Sequence, residues 1–240
     1  MFQINTYGDA GMRIQFGEGI SKEINEKIRS FCLYLEEVNI PGIIEWIPAY
    51  TAVTIIYDPS IILYDALKKR VEAIEHKLGQ IDLPVADIVH IPVLYGGESG
   101  PELTAVASLN GMTEEEVIAI HSGTDYLIYM MGFIPGFPYL GGMSKRIAAP
   151  RLSKPRSEIP AGSVGIAGEQ TGIYPLKSPG GWQIIGQTPV KTYDAARQPP
   201  ILLQAGNYIR FNAINAEEFE SIQAEVEAGN YNPQIEKYTV

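Results

Sequence analysis

Apolar residues in the first part of the chain follow two periodicities. Strand-like runs rich in β-branched and aromatic residues lie near 3–7, 12–16, 42–47 and 51–57. A first helical stripe, which Ser21 can cap, comprises Ile24, Ile28, Phe31 and Leu35. A second stripe is predicted to stop at Gly79 and comprises Leu67, Val71, Ile74 and Leu78. The order β-β-α-β-β-α predicts a small α+β domain over 1–80, with its helices on one face of an antiparallel sheet.

The periodicity breaks at 81–88, which we interpret as a linker, and a second domain is predicted over 89–240. It opens with a strand at 89–95 and a helical hairpin. Pro101 suits the first turn of the first hairpin helix. Thr113 and Glu116 have the spacing of a capping box, which predicts a second helix that runs to His121.

Glycine and proline are dense from Met130 to Trp182, but aromatic and β-branched residues are interleaved with them. This mixture predicts short strands joined by tight turns, and such strands close into a β-barrel more readily than into helices. The runs at 201–204 and 208–211 are predicted to form the closing hairpin of the barrel. An acidic amphipathic segment at 216–228 is predicted to be a surface helix.

Composition restricts the function classes. Hydrophobic residues make up 45% and charged residues 19%, a balance typical of a folded globular protein. The formal net charge of −10 repels a phosphate backbone, so we expect no nucleic-acid partner. Cys32 has no partner for a disulfide, the N-terminus lacks a signal-peptide pattern, and no apolar run reaches the roughly 20 residues of a membrane span. These features predict a cytoplasmic protein that does not cross a membrane.

One basic island interrupts this acidic chain, with no acidic residue inside it: Lys145, Arg146, Arg151, Lys154 and Arg156. Such residues often form only a solvated loop. Here, however, the island is followed by glycines whose main-chain N–H groups can approach an anion closely: Gly162, Gly165, Gly168, Gly172, Gly180 and Gly181. The alternative is that barrel turns simply need glycine. Together with the arginine forks, the pattern favours an anion-binding pocket.

Standard catalytic motifs are missing from the sequence. There is no complete P-loop, no G-x-S-x-G elbow and no His or Cys pair with metal-site spacing, so neither a Ser-His-Asp hydrolase nor a zinc enzyme is indicated. His121 closes a capped helix, where it either offsets the helix dipole or takes part in acid–base chemistry. A set of aromatic residues is interpreted as barrel core or as the wall of a pocket: Phe133, Phe137, Tyr139, Tyr174 and Trp182.

Three long motifs resemble one known family: MGFIPGFPYLGGM (131–143), PAGSVGIAGEQTGIYP (160–175) and SPGGWQIIGQTP (178–189). The chain is identified as a member of the allophanate hydrolase subunit 1 family, which includes the B subunit of bacterial 5-oxoprolinase and the sporulation-kinase inhibitor KipI. The resemblance implies an α+β N-terminal domain followed by a mainly-β, cyclophilin-like barrel domain. It also implies that the chain works with a second subunit of the same system and a third subunit of different fold. Together they would open the 5-oxoproline lactam to L-glutamate while hydrolysing ATP to ADP and phosphate.

The implied chemistry suits the proposed anion pocket. Phosphorylation of the lactam oxygen would give an intermediate that carries both a carboxylate and a phosphate, which cations and oriented N–H groups can stabilise. Candidate catalytic residues are His121, Arg151, Arg156 and Gln170. Candidate substrate- or nucleotide-binding residues are Phe137, Tyr139, Gly162, Ser163, Gly165, Gly168, Thr171, Gly172, Tyr174, Gly180, Gly181 and Trp182. ATP is the expected co-substrate and Mg²⁺ is expected with it, although no protein ligand for a metal is identified.

Three alternatives remain open at this point. A KipI-like chain would inhibit a sporulation histidine kinase, and the segment GGMSKRIAAPR resembles that branch. A related subunit would act on allophanate or another urea-derived amide. The barrel would otherwise be only a binding module for a proline-containing segment, which rests on fold analogy alone.

Overall fold

The computed structural model describes residues 2–239, and these divide into two compact units, 2–84 and 85–239. The first unit contains an antiparallel sheet with strand order β1-β2-β4-β3. Its elements, in chain order, are β1 (Gln3–Thr6), β2 (Gly11–Gln15), α1 (Lys22–Val38), β3 (Ile43–Pro48), β4 (Ala52–Tyr57) and α2 (Tyr64–Glu75). The apolar faces of both helices and of the sheet form one buried core.

The first helix begins where its sequence predicts. Ser21 Oγ accepts a hydrogen bond from Ile24 N–H at 3.2 Å, which satisfies one of the free N–H groups of the first turn. The predicted stripe of α1 is buried at Ile28, Phe31 and Leu35. The stripe prediction is confirmed because period 3.6 places these side chains on one face.

The predicted end of α2 is wrong. The helix stops at Glu75, and Gly79 lies inside a separate 3-10 turn, Leu78–Gln80, rather than at the helix C-cap. Lys77 N–H donates to Ile74 O at 2.8 Å, so the chain tightens before it reaches Gly79. Leu78 still packs against the core, so the apolar stripe of α2 continues beyond the end of the helix.

The second unit is built around one large sheet and a two-stranded ribbon. Its helices are α3 (Leu103–Leu109), α4 (Glu114–Ser122) and α5 (Ala216–Glu227). Its strands are β5 (Asp87–Tyr95), β6 (Asp125–Met131), β7 (Pro138–Gly141), β8 (Arg156–Ile159), β9 (Ser163–Ala167), β10 (Gln170–Ile173), β11 (Ser178–Gly180), β12 (Gln183–Gln187), β13 (Tyr208–Ala213) and β14 (Ile235–Lys237). A 3-10 turn, Lys145–Ile147, precedes β8.

The large sheet curls until its ends approach each other. Its strand order is β10-β9-β12-β5-β13-β6-β7, with β14 also paired to β5, and Cα atoms of β7 and β10 come within 8 Å. Strands β8 and β11 form the separate ribbon. The apolar residues enclosed by the large sheet form the main core, together with the inner sides of α3 and α4. The coarse prediction of a mixed fold with a barrel-like sheet is confirmed.

The predicted closing hairpin is wrong. Residues 201–204 form no strand, and Ile201 makes only an isolated bridge with Tyr193. Strand β13 instead lies between β5, to which it is parallel, and β6, to which it is antiparallel. Leu203 is buried in the main core, so the apolar run at 201–204 reflects core packing rather than strand pairing.

Local signals in the remaining helices are mostly confirmed. Thr113 and Glu116 form the reciprocal capping box that starts α4. Helix α3 begins at Leu103, so Pro101 lies just before the helix rather than in its first turn. Helix α5 buries no residue, as predicted for an acidic surface helix. Within 2–239, none of the helices has both the length and the apolar character needed to span a bilayer.

Candidate functional site

A cavity of about 270 Å³ in the second unit gathers much of the predicted site. We call it the aromatic pocket, and its lining residues are Phe133, Phe137, Tyr139, Arg151, Gln170, Tyr174, Pro179, Gly180, Gly181 and Trp182. All except Phe133 and Pro179 belong to the predicted catalytic or binding sets. The aromatic residues line the cavity, and Phe137, Tyr174 and Trp182 are also buried in a hydrophobic cluster, so the set meets both roles that the sequence left open, core and pocket wall.

Phe137 holds the aromatic wall together. Its ring makes edge contacts with Tyr174 and Trp182 at centroid distances of 5.7 and 5.8 Å, and a tilted contact with Tyr139 at 5.3 Å. Gly172 lies behind these rings, because a Cβ atom there would stand 3.2 Å from Trp182 and 3.4 Å from Phe137. A larger residue at 172 would press into the cluster, so this glycine shapes the wall rather than contacting a ligand.

The backbone on both sides of Arg151 is tied to the pocket. Gln183 Nε2 donates to Pro150 O at 3.0 Å, and Leu152 N–H donates to Gly181 O at 2.7 Å. These two hydrogen bonds hold the segment that carries Arg151 against β12 and the turn before it. The basic island therefore contributes one side chain to the pocket wall, and its position is fixed.

The charge of Arg151 is not neutralised within the fold. Over residues 2–239, no carboxylate oxygen lies within 4.0 Å of its guanidinium nitrogens, whereas Lys145 pairs with Glu169 at 3.2 Å. Burial raises the pKa of the Tyr174 hydroxyl, and the nearby charge of Arg151 partly opposes that rise. Tyr174 is therefore a protonated phenol at neutral pH, and Arg151 is a cation available to an anionic ligand.

Arg156 has a different role from Arg151. Its Nη2 pairs with Glu102 Oε1, and its Nη1 donates to Trp182 O at 3.3 Å. Glu102 Oε2 in turn accepts from Ile184 N–H at 2.8 Å. The guanidinium is therefore engaged by an internal carboxylate outside the pocket wall, where it fixes the turn before β12 that carries Trp182. Sequence reasoning missed Glu102, because nothing local pairs it with a residue 54 positions away.

His121 lies in the interior, outside the pocket. Thr171 Oγ1 donates its single hydrogen to Gly165 O at 3.0 Å, so it accepts from His121 Nε2–H at 2.8 Å. His121 Nδ1 then accepts from the Tyr95 hydroxyl at 2.7 Å. The ring is 0% exposed and stacks on Phe211, and burial lowers its pKa from 6.5 to about 3.

This arrangement defines the state of the histidine. At neutral pH His121 is uncharged, and both ring nitrogens are hydrogen-bonded within the fold. A neutral imidazole does not supply the positive charge that the helix-dipole interpretation requires. The geometry favours a structural link between α4 and β10, the strand that begins with the pocket residue Gln170.

The glycines of the β9–β10 region shape turns. Gly162 and Gly168 have φ values of +81° and +62°, which glycine adopts readily. Their N–H groups donate to Tyr174 O at 2.7 Å and Ala149 O at 2.6 Å. These two groups are therefore engaged by the chain itself and do not line the aromatic pocket.

Ser163, Gly165 and Thr171 are likewise outside the pocket wall. Gly165 and Gly172 are Cα partners in the β9–β10 ladder, and Ser163 and Thr171 are buried. Thr171, next to Gly172 in β10, points to the opposite face of the sheet and meets His121. Gly165 shares the face of its partner Gly172 and lies behind the wall, where a Cβ atom would stand 3.3 Å from Trp182 Cβ.

A larger cavity, of about 500 Å³, lies in the first unit and contains none of the predicted site residues. Its lining includes the carboxylates of Glu23, Glu26, Glu75 and Asp82. Such a surface repels an anionic ligand, so the smaller aromatic pocket is the better candidate. Across 2–239, no group of three or more His, Cys, Asp or Glu side chains is arranged to hold a metal ion.

Comparison with known proteins assigns the family. The family described as "Carboxyltransferase domain, subdomain C and D" matches residues 2–203. The chain belongs to this family. Among family relatives, it is 45% identical over 238 residues to the B subunit of 5-oxoprolinase from Bacillus subtilis, covering 93% of this chain and 98% of the relative. The resemblance inferred from the three motifs is therefore confirmed.

Two solved structures extend the comparison. The crystal structure of TTHA0988 is 37% identical, with a TM-score of 0.76 over 86% of this chain, but this chain covers only 40% of that one. The Kluyveromyces lactis urea carboxylase has a TM-score of 0.78 over 99% of this chain at 20% identity, and this chain covers 24% of it. The second likeness concerns the fold alone. In both solved proteins the family fold is one part of a longer chain.

Proposed function

We propose that this chain is a subunit of an ATP-dependent 5-oxoprolinase and that its aromatic pocket binds 5-oxoproline. The observation that carries the proposal is Arg151, a cation at a small aromatic-walled cavity that has no carboxylate partner among residues 2–239. The Bacillus subtilis relative is named as the B subunit of 5-oxoprolinase, and its name supports the same assignment.

The pocket suits a small ring with one carboxylate. In our proposal the carboxylate lies against the guanidinium of Arg151, which offers a planar fork of donors. The lactam ring lies against the aromatic wall, and Gln170 and the protonated Tyr174 hydroxyl offer polar groups to its amide. These contacts would orient the lactam for reaction at its carbonyl group.

The size of the cavity favours the substrate over the nucleotide. Ligand pockets commonly measure roughly 300 to 1,000 Å³, and a cavity of about 270 Å³ is at the small end of that scale. We therefore propose that ATP, with its Mg²⁺, binds to another part of the assembly. Companion subunits would deliver the phosphoryl group and complete the hydrolysis to glutamate. The kinase-inhibitor, allophanate and proline-binding alternatives stay predictions.

The test compares Arg151→Ala with wild type in the assembled complex. We expect 5-oxoproline-dependent ATP hydrolysis and glutamate formation in wild type. In Arg151→Ala, loss of a charge-assisted hydrogen bond of about 1.5 to 3 kcal/mol should raise KM roughly ten- to a hundredfold. The thermal midpoint should be unchanged, because Arg151 has no ion-pair partner among the described residues.

Lys154→Ala is the matched control, since it removes an exposed positive charge from the same segment outside the pocket. A complete, folded assembly that hydrolyses no ATP in response to 5-oxoproline would refute the enzyme assignment. Equal KM values in the Arg151 and Lys154 variants would refute the assignment of the carboxylate to Arg151.

A further inference from the structure

We propose that Phe133 is a specificity-determining residue that closes the aromatic pocket over the flat ring of its ligand. This inference rests on the proposed function, and it concerns a residue that the sequence indicated only as barrel core or pocket wall and not as a member of the binding set. Phe133 lines the aromatic pocket and also lines a second, shallow cavity with Ile134, Pro135 and Ile201. Its ring therefore stands at the rim between the pocket and the surface.

The backbone holds Phe133 in an uncommon conformation. Its φ is +66°, in the left-handed region that side chains other than glycine rarely adopt. Ile134 N–H donates to Gly132 O at 2.8 Å, which makes Phe133 the central residue of a three-residue turn. With positive φ at its centre, this is the rare and strained form of the γ-turn. Strained residues of this kind concentrate at ligand clamps and active sites.

Hydrogen bonds within the loop fix its conformation, so the positive φ of Phe133 does not result from a loosely held loop. Gly132 N–H donates to Phe137 O at 3.2 Å, and Phe137 N–H donates to Ile134 O at 3.1 Å. Gly136, with φ of +84°, packs closely against Tyr193. The loop between β6 and β7 is thus closed by its own hydrogen bonds and directs the Phe133 side chain outward.

The ring of Phe133 is poorly covered for so large an apolar group. The residue is 67% exposed, and its ring makes an edge contact with Phe137 at 5.7 Å. A ligand in the pocket would cover the face of Phe133 while its other side rested on the inner aromatic wall. The ring of Phe133 becomes covered only when a ligand is bound. Ligand binding therefore offers a physical reason for a strained conformation that exposes the ring in the free protein.

The chemistry of this contact selects a flat ring. An aromatic face packs well against a compact, nearly flat five-membered lactam, whereas the open chain of glutamate carries a second carboxylate that would be desolvated between two aromatic surfaces. Arg151 recognises the carboxylate that both molecules carry. Phe133 would therefore discriminate the ring from its open product, and product release would follow from the loss of this contact.

The decisive variant is Phe133→Gly, which removes the ring and places at 133 the residue that tolerates positive φ. In the assembled complex we expect KM for 5-oxoproline to rise about three- to tenfold, the usual range for a lost aromatic contact. The thermal midpoint should stay level or rise, because glycine relieves the strain. The separate variant Phe133→Tyr, which keeps the aromatic ring, should have the wild-type KM. Leu109→Ala, which trims an exposed apolar residue of α3, should change neither quantity.

The outcomes separate this inference from the proposed function. A wild-type assembly without 5-oxoproline-dependent activity overturns the proposed function, and this inference with it. An active wild type with an unchanged KM in Phe133→Gly overturns only the role of Phe133. Loss of assembly on size-exclusion chromatography assigns the ring to an interface with a companion protein and overturns the inference, as does a lowered thermal midpoint.

Discussion

Replacing Arg156 by alanine is expected to destabilise the second unit, in contrast to the same change at Arg151. The Arg156 side chain is 32% exposed and that of its partner Glu102 is 14% exposed. Arg156→Ala removes the ion pair with Glu102 and the hydrogen bond to Trp182 O. The Glu102 carboxylate then keeps its hydrogen bond from Ile184 N–H but loses its cationic partner.

The magnitude follows from this partial burial. Hydrogen bonds to charged groups contribute about 1.5 to 3 kcal/mol, while exposed ion pairs contribute about 0 to 1 kcal/mol. A pair that is mostly but not fully covered should lie between these limits, and we expect a loss of about 2 kcal/mol in the free energy of unfolding. For a unit of this size, that loss corresponds to a fall of roughly 4 to 8 °C in Tm.

The assay can isolate the second unit. The chain has two tryptophans, so a Trp46→Phe background leaves Trp182 as the only tryptophan, and its fluorescence reports unfolding of the unit that contains Arg156. Urea denaturation of Arg156→Ala, Glu102→Gln and the double variant in this background gives the coupling energy of the pair.

Arg151→Ala is the matched control, because it removes the same side chain from a position without an ion-pair partner among the described residues. We expect its unfolding free energy to equal that of the background. The reasoning is refuted if Arg156→Ala unfolds at the background urea concentration, or if the two alanine variants are destabilised equally.

Further predictions concern the buried core and the turns. Because the folded-state pKa of His121 is lowered from 6.5 to about 3, the unfolded state binds more protons between these values, and stability should fall by roughly 1.4 kcal/mol per pH unit on acidification below 6.5. His121→Gln should lose this part of the slope in urea titrations from pH 7 to 4, and an identical slope would contradict it. Gly168→Ala should cost roughly 1 to 2 kcal/mol for its positive φ, whereas Gly162→Ala should cost more, since its Cβ would also strike Thr188 O. Equal urea midpoints for the two alanine variants would contradict that contrast.

The sequence by itself determined the features that depend on neighbours along the chain. Ser21 and the Thr113–Glu116 box start their helices because each cap bonds to N–H groups only three residues away. The apolar stripe of α1 and the acidic exterior of α5 follow from the 3.6-residue period in the same way. Motif resemblance likewise identified the family, because long motifs are matched residue by residue.

The aromatic pocket was predictable in part. Glycine, aromatic and basic residues concentrated in one stretch indicated where its wall would be found, and the wall contains Arg151, Tyr174 and Trp182 from that stretch. Sequence proximity could not tell which arginine faces the cavity, because that depends on the distant carboxylate of Glu102. Nor could it reveal the positive φ of Phe133, since nothing in the residue type requires it.

Only the tertiary structure decided which strands pair and which polar groups meet. Strand β13 pairs with β5 and β6 rather than with the nearby run at 201–204. Closure of the large sheet and burial of Leu203 in the core favour this pairing over a hairpin between segments that are close in sequence. His121 became a neutral interior group because folding removed water from it and supplied partners at both nitrogens. The sequence gives the chemical type of each side chain. Its hydrogen-bond partners and its solvent exposure arise only in the packed chain, and these determine the role that the side chain has.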